Sequence, residues 1–160
     1  KQIRATIIDA IDALNKFRLD EGKVLEQYIS SNLTNILGLL IEVVPFEIER
    51  IETIKERFNK RLEEVKVDVD QNRFEQELIF YLEKLDITEE KVRLKNHCEY
   101  FLKELEGTES NGKKLGFISQ EIGREINTLG SKSNHSEMQK IVVQMKDELE
   151  KIKEQSLNIL

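Results

Sequence analysis

The run Gly112 to Ser133, GKKLGFISQEIGREINTLGSKS, decides how this chain is read. Leu115, Ile118, Ile122, Ile126 and Leu129 recur at helical spacing and form one apolar stripe. At about 100° per residue, Arg124 points away from that stripe, flanked by Gln120, Asn127 and Thr128, with Glu121 and Glu125 between the polar face and the core edge. A merely solvated face usually carries interchangeable Lys and Glu. Here it carries Gln, Arg, Asn and Thr, side chains with fixed hydrogen-bond geometry. The helix is expected to stop at Gly130-Ser131-Lys132-Ser133, a turn able to offer backbone N–H groups and an ammonium to an anion. The same pattern also fits a plain helix with a glycine C-cap and a polar outer face.

The rest of the chain follows this helical grammar. Of its 160 residues, 39% are hydrophobic and 35% charged, with one Pro, seven Gly and no Trp, a profile of long helices around a modest core. The expected fold class is all-α, with five or six helices and no strand. The first helix is read from Lys1 to about Ile41, marked by Ile3, Ile7, Ala10, Leu14 and Phe17 and then by Leu25, Ile29, Leu33, Ile36 and Leu40, with a bend near Gly22. Pro45 breaks the pattern. A second helix, from Pro45 to Val67 with Ile48, Ile51, Phe58, Leu62 and Val65, is expected to fold back antiparallel on the first. Residues 1–67 thus read as a long helical hairpin, an assembly arm, and 72–160 as a bundle of three to four shorter helices.

Within that bundle a third helix covers Asn72 to about Leu85. Asp86-Ile87-Thr88-Glu89 reads as a capping box opening a fourth, to about Leu105, and Ser136 with Gln139 as another opening the last, to about Ile159. The last helix carries Met138, Val142, Met145, Leu149, Ile152 and Ile159 in a/d register. GTESNG, from Gly107 to Gly112, is the clearest loop.

Charge and composition exclude several classes. No apolar run approaches the roughly 18 residues of a membrane span, so no membrane partner is expected. The start shows no signal-peptide pattern. It lacks Met and is already in helical phase, so an N-terminal part is expected to precede it. The single cysteine, Cys98, forms no intrachain disulfide and no Cys-based zinc site, and falls on an apolar face. A reducing cytoplasmic setting fits. The net charge of −6 does not favour nucleic acid, whose phosphates need Lys and Arg, although a local basic patch, a metal or a further domain can supply that field.

Two further constellations can carry chemistry. On the fourth helix, Asp86, Glu90, Arg93 and His97 form a stripe along the edge of the core face made by Ile87, Leu94, Cys98, Phe101 and Leu105. His97 can act as general acid or base on a phosphodiester, with Arg93 on the phosphate. An i,i+4 salt-bridge ladder at a helix seam explains the same stripe. On the third helix, Glu75 and Glu77 can join the carboxylates of the fifth helix around Mg²⁺ or Mn²⁺. His135 reads as a loop residue.

These residues together carry a resemblance. The 112–133 run, followed by a charged helix ending EQSLNIL, resembles the C-terminal signature of the bacterial YicC/YloC family of endoribonucleases. DITEEKVRLKNHCEYF is similar to that family's Asp-Ile-x-Glu-Glu stretch with its later Arg-Leu and His. NRFEQEL is similar to its Arg-Leu-x-Gln-Glu stretch, and Arg18, Glu21, Gly22 and Leu25 to its Arg-x-x-Glu-Gly-x-x-Leu segment. The resemblance covers essentially the whole chain, and the family carries a further N-terminal domain that contains strands. It implies cytoplasmic cleavage of single-stranded RNA, assisted by a divalent cation, Mn or Mg, by a homo-oligomer that is a hexamer in full-length form, with no DNA substrate.

The matching residues carried over are Glu75, Glu77, Glu89, Glu90, Arg93, His97, Gln120, Glu121, Arg124, Glu125, Asn127, Ser131 and Lys132. In the expected mechanism Glu121, Glu125, His97 and Glu90 are catalytic. Arg93, Gln120, Arg124, Asn127, Ser131 and Lys132 bind RNA, and Glu121, Glu125, Glu75 and Glu77 hold metal. The alternatives are a metal-free route through the ribose 2′-OH, a non-catalytic oligomerisation scaffold, or a regulatory adaptor of RNA turnover. The chain departs from the family's pattern where Gly116 stands for Asp, Gly123 for Asn and Lys91 for Leu. Each glycine lowers helix propensity by roughly 1 kcal/mol relative to Ala.

Overall fold

The computed structural model describes residues 2–65, 71–107 and 112–156. Among these residues all regular structure is helix: α1 (Gln2–Val65), α2 (Gln71–Leu85), α3 (Thr88–Leu105), α4 (Gly112–Lys132) and α5 (Ser136–Ser156). The all-α expectation holds. Residues 66–70, 108–111 and 157–160 lie outside the described residues, and with them the centre of the expected GTESNG loop and the end of the expected last helix.

The expected hairpin of residues 1–67 is not formed. α1 is one helix of 64 residues that runs through Pro45. A proline inside a helix removes one hydrogen bond and crowds the carbonyl four residues back. Here that carbonyl belongs to Ile41, and both Ile41 and Pro45 are exposed, so the released carbonyl can be hydrated. On the opposite face, Leu40 and Val43 before the proline and Arg50 and Ile54 after it are all buried. Packing on both sides of the proline holds the two halves in one line.

One core unites α1 with the shorter helices. Ile29, Leu33, Ile36, Leu40 and Val43 alternate at spacings of four and three and pack with Met138, Val142, Met145, Leu149 and Ile152 of α5. The two helices are antiparallel, as the hydrogen bond from Asn35 Nδ2 to Glu148 Oε2 at 3.0 Å and the proximity of His135 to Glu49 show. On α4 the anticipated stripe of Leu115, Ile118, Ile122, Ile126 and Leu129 is buried. So are Leu94, Cys98 and Phe101 of α3. α3 and α4 pack antiparallel, α4 packs on α5, and α2 lies against the end of α1.

Gly130 does not end α4, which continues to Lys132. Its role is close approach: a Cβ there would stand 2.9 Å from Val142 Cγ1. Nor is Gln139 half of a capping box with Ser136. Its Nε2 instead donates to the carbonyls of Gly130 (2.6 Å) and Ser133 (2.7 Å), closing the C-terminal end of α4. Asp86 Oδ1 accepts from Thr88 N and Oγ1 at 3.0 and 2.7 Å, and these bonds hold its carboxyl below the ordinary value.

Residues 3–24 of α1 project beyond the end of α5 and are exposed throughout, including Ile3 at 79% and Phe17 at 62%. This apolar stripe was expected to meet the returning arm of the hairpin. α1 also contains an 18-residue window of mean hydropathy 1.4, long and apolar enough by length and composition to cross a membrane. The expectation that no run approaches that length was therefore wrong. A third of that window (33%) is buried inside the fold.

Candidate active site on the α3–α4 seam

Where α3 and α4 pack antiparallel, their apolar stripes meet and their polar edges form a ladder. Lys132 Nζ donates to Glu90 Oε1 at 2.8 Å at one end. One turn along, Arg93 Nη1 stands 3.9 Å from Glu125 Oε1, while its Nη2 pairs with Glu89. At the far end Lys114 meets Glu104 at 2.8 Å and lies 5.2 Å from the Tyr100 ring centroid. Four residues on from Arg93, and four back from Glu125, come His97 and Glu121. The antiparallel register places these two at one level of the seam. His97 is half-buried and Glu121 exposed.

Beside the ladder runs a second row. Phe117, Gln120, Arg124, Asn127 and Ser131 recur at three and four residues along α4, and all are exposed. Ser131 Oγ donates to Thr128 O at 2.8 Å, and Thr128 Oγ1 to Arg124 O at 3.0 Å. The Arg124 guanidinium makes no ion pair with any described residue. The row presents one cation, two amides and a phenyl ring.

Several expected roles change. Lys132 is not a free RNA ligand, because its ammonium is shared between Glu90 and the carbonyl of Asp86 at 2.9 Å. Glu90 is buried; its Oε1 accepts from Lys132, while its Oε2 is a buried atom without a hydrogen-bond partner among the described residues. Glu125, at 5% exposure, sits inside the core edge facing Arg93. A carboxylate so placed is costly without a cation, so Glu125 reads first as the buried half of an ion pair with the half-exposed Arg93. Arg93, Gln120, Arg124, Asn127 and Ser131 keep exposed positions compatible with RNA.

Among the described residues, those expected to hold Mn or Mg are not brought together into one ligand set. Glu75 and Glu77 are on α2, which packs on α1, whereas Glu121 and Glu125 are on α4. Among the described residues no group of three or more His, Cys, Asp or Glu side chains is arranged to hold a metal ion.

The sequence reading missed a polar junction where α1 crosses the ends of the other helices. Arg50, 3% exposed, donates from Nη2 to Leu85 O at 2.8 Å, the last carbonyl of α2, and from Nη1 to Lys132 O at 2.9 Å, the last of α4. Burial lowers its pKa, against the pull of Glu47 and Asp86. Lys91, a departure from the family's pattern, pairs with Glu47. His135 is half-buried. Its ring lies 5.4 Å from that of Phe46 and its Nε2 3.8 Å from Glu49. The signal for Arg50 was available: it continues the core-facing spacing of Val43, Phe46 and Ile54, and a charge in an apolar stripe needs a buried partner.

The fold and seam define an all-α protein whose antiparallel α3–α4 pair carries an ion-pair ladder beside an exposed row of hydrogen-bonding side chains. The chain belongs to the family described as endoribonuclease YicC-like, C-terminal, whose model matches residues 44–160. It is similar to a probable endoribonuclease YicC from Clostridioides difficile (strain 630), with 36% identity over 98% of this chain and 55% of that protein. It is also similar to a probable endoribonuclease YicC from Haemophilus influenzae, with 32% identity over 87% of this chain and 48% of that protein. The chain thus spans about half the length of these curated relatives.

Proposed function

We propose that this chain is the part of an endoribonuclease that binds single-stranded RNA along α4 and cleaves it at the α3–α4 seam. One observation carries the reading: the exposed Gln120–Arg124–Asn127 row runs beside the level of the seam that the antiparallel register gives to His97 and Glu121. Arg124 and Arg93 take successive phosphates, since guanidinium groups match phosphate oxygens in two-point geometry. Gln120 and Asn127 hydrogen-bond bases or ribose hydroxyls.

In the cleavage step His97 removes the ribose 2′-OH proton and the 2′ oxygen attacks phosphorus. The P–O5′ bond breaks and the leaving oxygen takes a proton from solvent water, while the Glu121 carboxylate, at the same level of the seam, orients the His97 imidazole. Arg124 stabilises the charge that gathers on phosphorus oxygens. The products are a 2′,3′-cyclic phosphate and a 5′-hydroxyl. No step is routed through a cation, because the described residues bring no ligand set for one together.

The test is cleavage of labelled single-stranded RNA by full-length protein with Mn²⁺ and with EDTA, beside Arg124→Ala and Glu121→Gln. The variants are first checked for unchanged oligomeric state. Loss of cutting in both supports the seam. Undiminished cutting in both moves the chemistry elsewhere, and a 5′-phosphate end on the product removes the 2′-OH route.

The exposed arm of residues 3–24 favours a second reading, in which the chain is a non-catalytic scaffold for a homo-oligomer. An apolar stripe of that length is more than isolated monomers usually expose. On that reading the two α4 variants leave cleavage untouched, whereas Ile7→Asp changes the sedimentation coefficient.

A further inference from the structure

We propose that α2 and the end of α1 form a stacking platform for unpaired bases of single-stranded RNA, with Phe80 and Tyr81 as stacking faces and Lys55, Arg57, Arg61 and Lys84 as phosphate contacts. The platform rests on the RNA reading above but uses none of the α3–α4 residues.

α2 carries the consecutive apolar residues Leu78, Ile79, Phe80, Tyr81 and Leu82. At about 100° per residue such a run surrounds the helix, and only one stripe can face α1. Leu78 and Leu82 are half-buried, which leaves Ile79 at 56% and Phe80 at 59% exposed. Tyr81 stands at the boundary. Its ring lies 5.4 Å from that of Phe58 on α1, and Phe58 lies 6.1 Å from Phe74. This three-ring cluster fixes the Tyr81 ring while leaving it partly open to solvent.

One cation lies against Phe80, and others share the end of α1 with Phe58. The Lys84 ammonium is 5.4 Å from the Phe80 centroid. Lys55, Arg57 and Arg61 are exposed and make no ion pair with any described residue. By helical phase, Lys55 and Arg61 lie within about 60° of Phe58, and Arg57 about 100° from it, whereas Glu52, Glu56 and Glu63 lie roughly 120–160° away. An aromatic face beside unpaired cations matches the alternation of base and phosphate in a single strand. An apolar protein partner would instead strip water from those cations without supplying an anion. Glu77, one turn before Phe80, is an acid on the same side of α2 and works against phosphate there.

The experiment measures anisotropy of full-length protein with a labelled 2′-O-methyl oligoadenylate, which cannot be cut through its 2′ position, and with an abasic strand of equal length. Phe80→Ala is expected to weaken oligoadenylate binding by about 5- to 100-fold and to leave abasic binding unchanged, with Phe80→Trp retaining affinity. Arg57→Ala and Lys84→Ala weaken both ligands alike, each lowering the salt slope by about 0.7. Glu77→Gln tightens both. Unchanged oligoadenylate affinity in Phe80→Ala overturns the platform. So does an equal loss on both strands, an absence of binding by the unmodified protein, or a change confined to sedimentation. Binding that depends on Phe80 in a protein that never cuts RNA leaves the platform standing and removes the nuclease reading. Cutting with Phe80-independent binding does the reverse.

Discussion

Arg50 donates to the carbonyl of Lys132 at 2.9 Å, so a side chain from the last third of α1 closes the C-terminal end of α4. The same guanidinium closes α2 through Leu85 O. The last carbonyls of a helix have no partner within it, and the guanidinium that meets them here is buried. Arg50→Ala leaves both carbonyls unpaired and is expected to cost about 3 kcal/mol, read as a lower urea midpoint at unchanged slope. Arg50→Lys reaches one carbonyl at a time and recovers part of the loss. Equal stability of Arg50→Ala and the unmodified protein would show that the junction is open to water.

Pro45 makes a second test, because replacing it has opposite consequences in a helix and in a turn. In the continuous α1, Pro45→Ala restores a hydrogen bond to Ile41 O and removes ring crowding. We expect a gain of about 1 kcal/mol, below the roughly 3 kcal/mol of a helix-interior proline because both residues are exposed. In a hairpin turn the change would destabilise by freeing the unfolded chain. A thermal melt decides the sign.

That helix also shows where sequence alone reached its limit. The stripes of α3, α4 and α5 were legible because each buries one face at a period of 3.6. A proline reads as a stop, yet Ile41-Glu42-Val43-Val44-Pro45-Phe46-Glu47 contains no Gly, Asn, Asp or Ser to make a turn. The α4 polar row was visible, but the engagement of Lys132 with Glu90 and Asp86 was not, since it depends on the register between α3 and α4. The same register is what brings His97 level with Glu121.

Two glycines of α4 should respond in opposite directions to the same substitution. At Gly116 an added Cβ meets nothing within 4 Å. Gly116→Ala is therefore expected to stabilise by about 0.5–1 kcal/mol through helix propensity. At Gly130 it meets Val142 Cγ1 at 2.9 Å. Gly130→Ala must push α4 from α5 and is expected to cost about 1–3 kcal/mol. Paired denaturant curves test both. Stabilisation by Gly130→Ala would contradict the close α4–α5 approach.

Cys98 offers a probe of the core that needs no mutation. Burial, with a smaller effect from Glu99, pushes its thiol up to about 12 from an ordinary value of 9.0. The folded state thus keeps its proton where the unfolded state releases it. This contribution is full below pH 9.0 and is lost as pH rises from 9.0 toward 12, with a slope of at most about 1.4 kcal/mol per pH unit. At pH 8 a thiol reagent should modify Cys98 only at the rate of global unfolding. Rapid modification of folded protein would mean that the α3 core opens locally.

The Arg93–Glu125 pair allows structural and RNA-binding roles to be separated in one side chain. Glu125 is 5% exposed with a guanidinium oxygen distance of 3.9 Å, and the Arg93 side chain is itself half open to solvent. Losing both partners of a fully buried pair differs from losing one, since the remaining charge is left uncompensated. With Arg93 half exposed, solvent screens part of that penalty, so Arg93→Ala is expected to cost about 1–2 kcal/mol. Adding Glu125→Gln removes the stranded charge and should return most of the stability. RNA binding should not return with it, because the phosphate ligand is still missing. A double variant that regains both stability and RNA affinity would make Arg93 a structural residue and leave Arg124 as the cation of the seam.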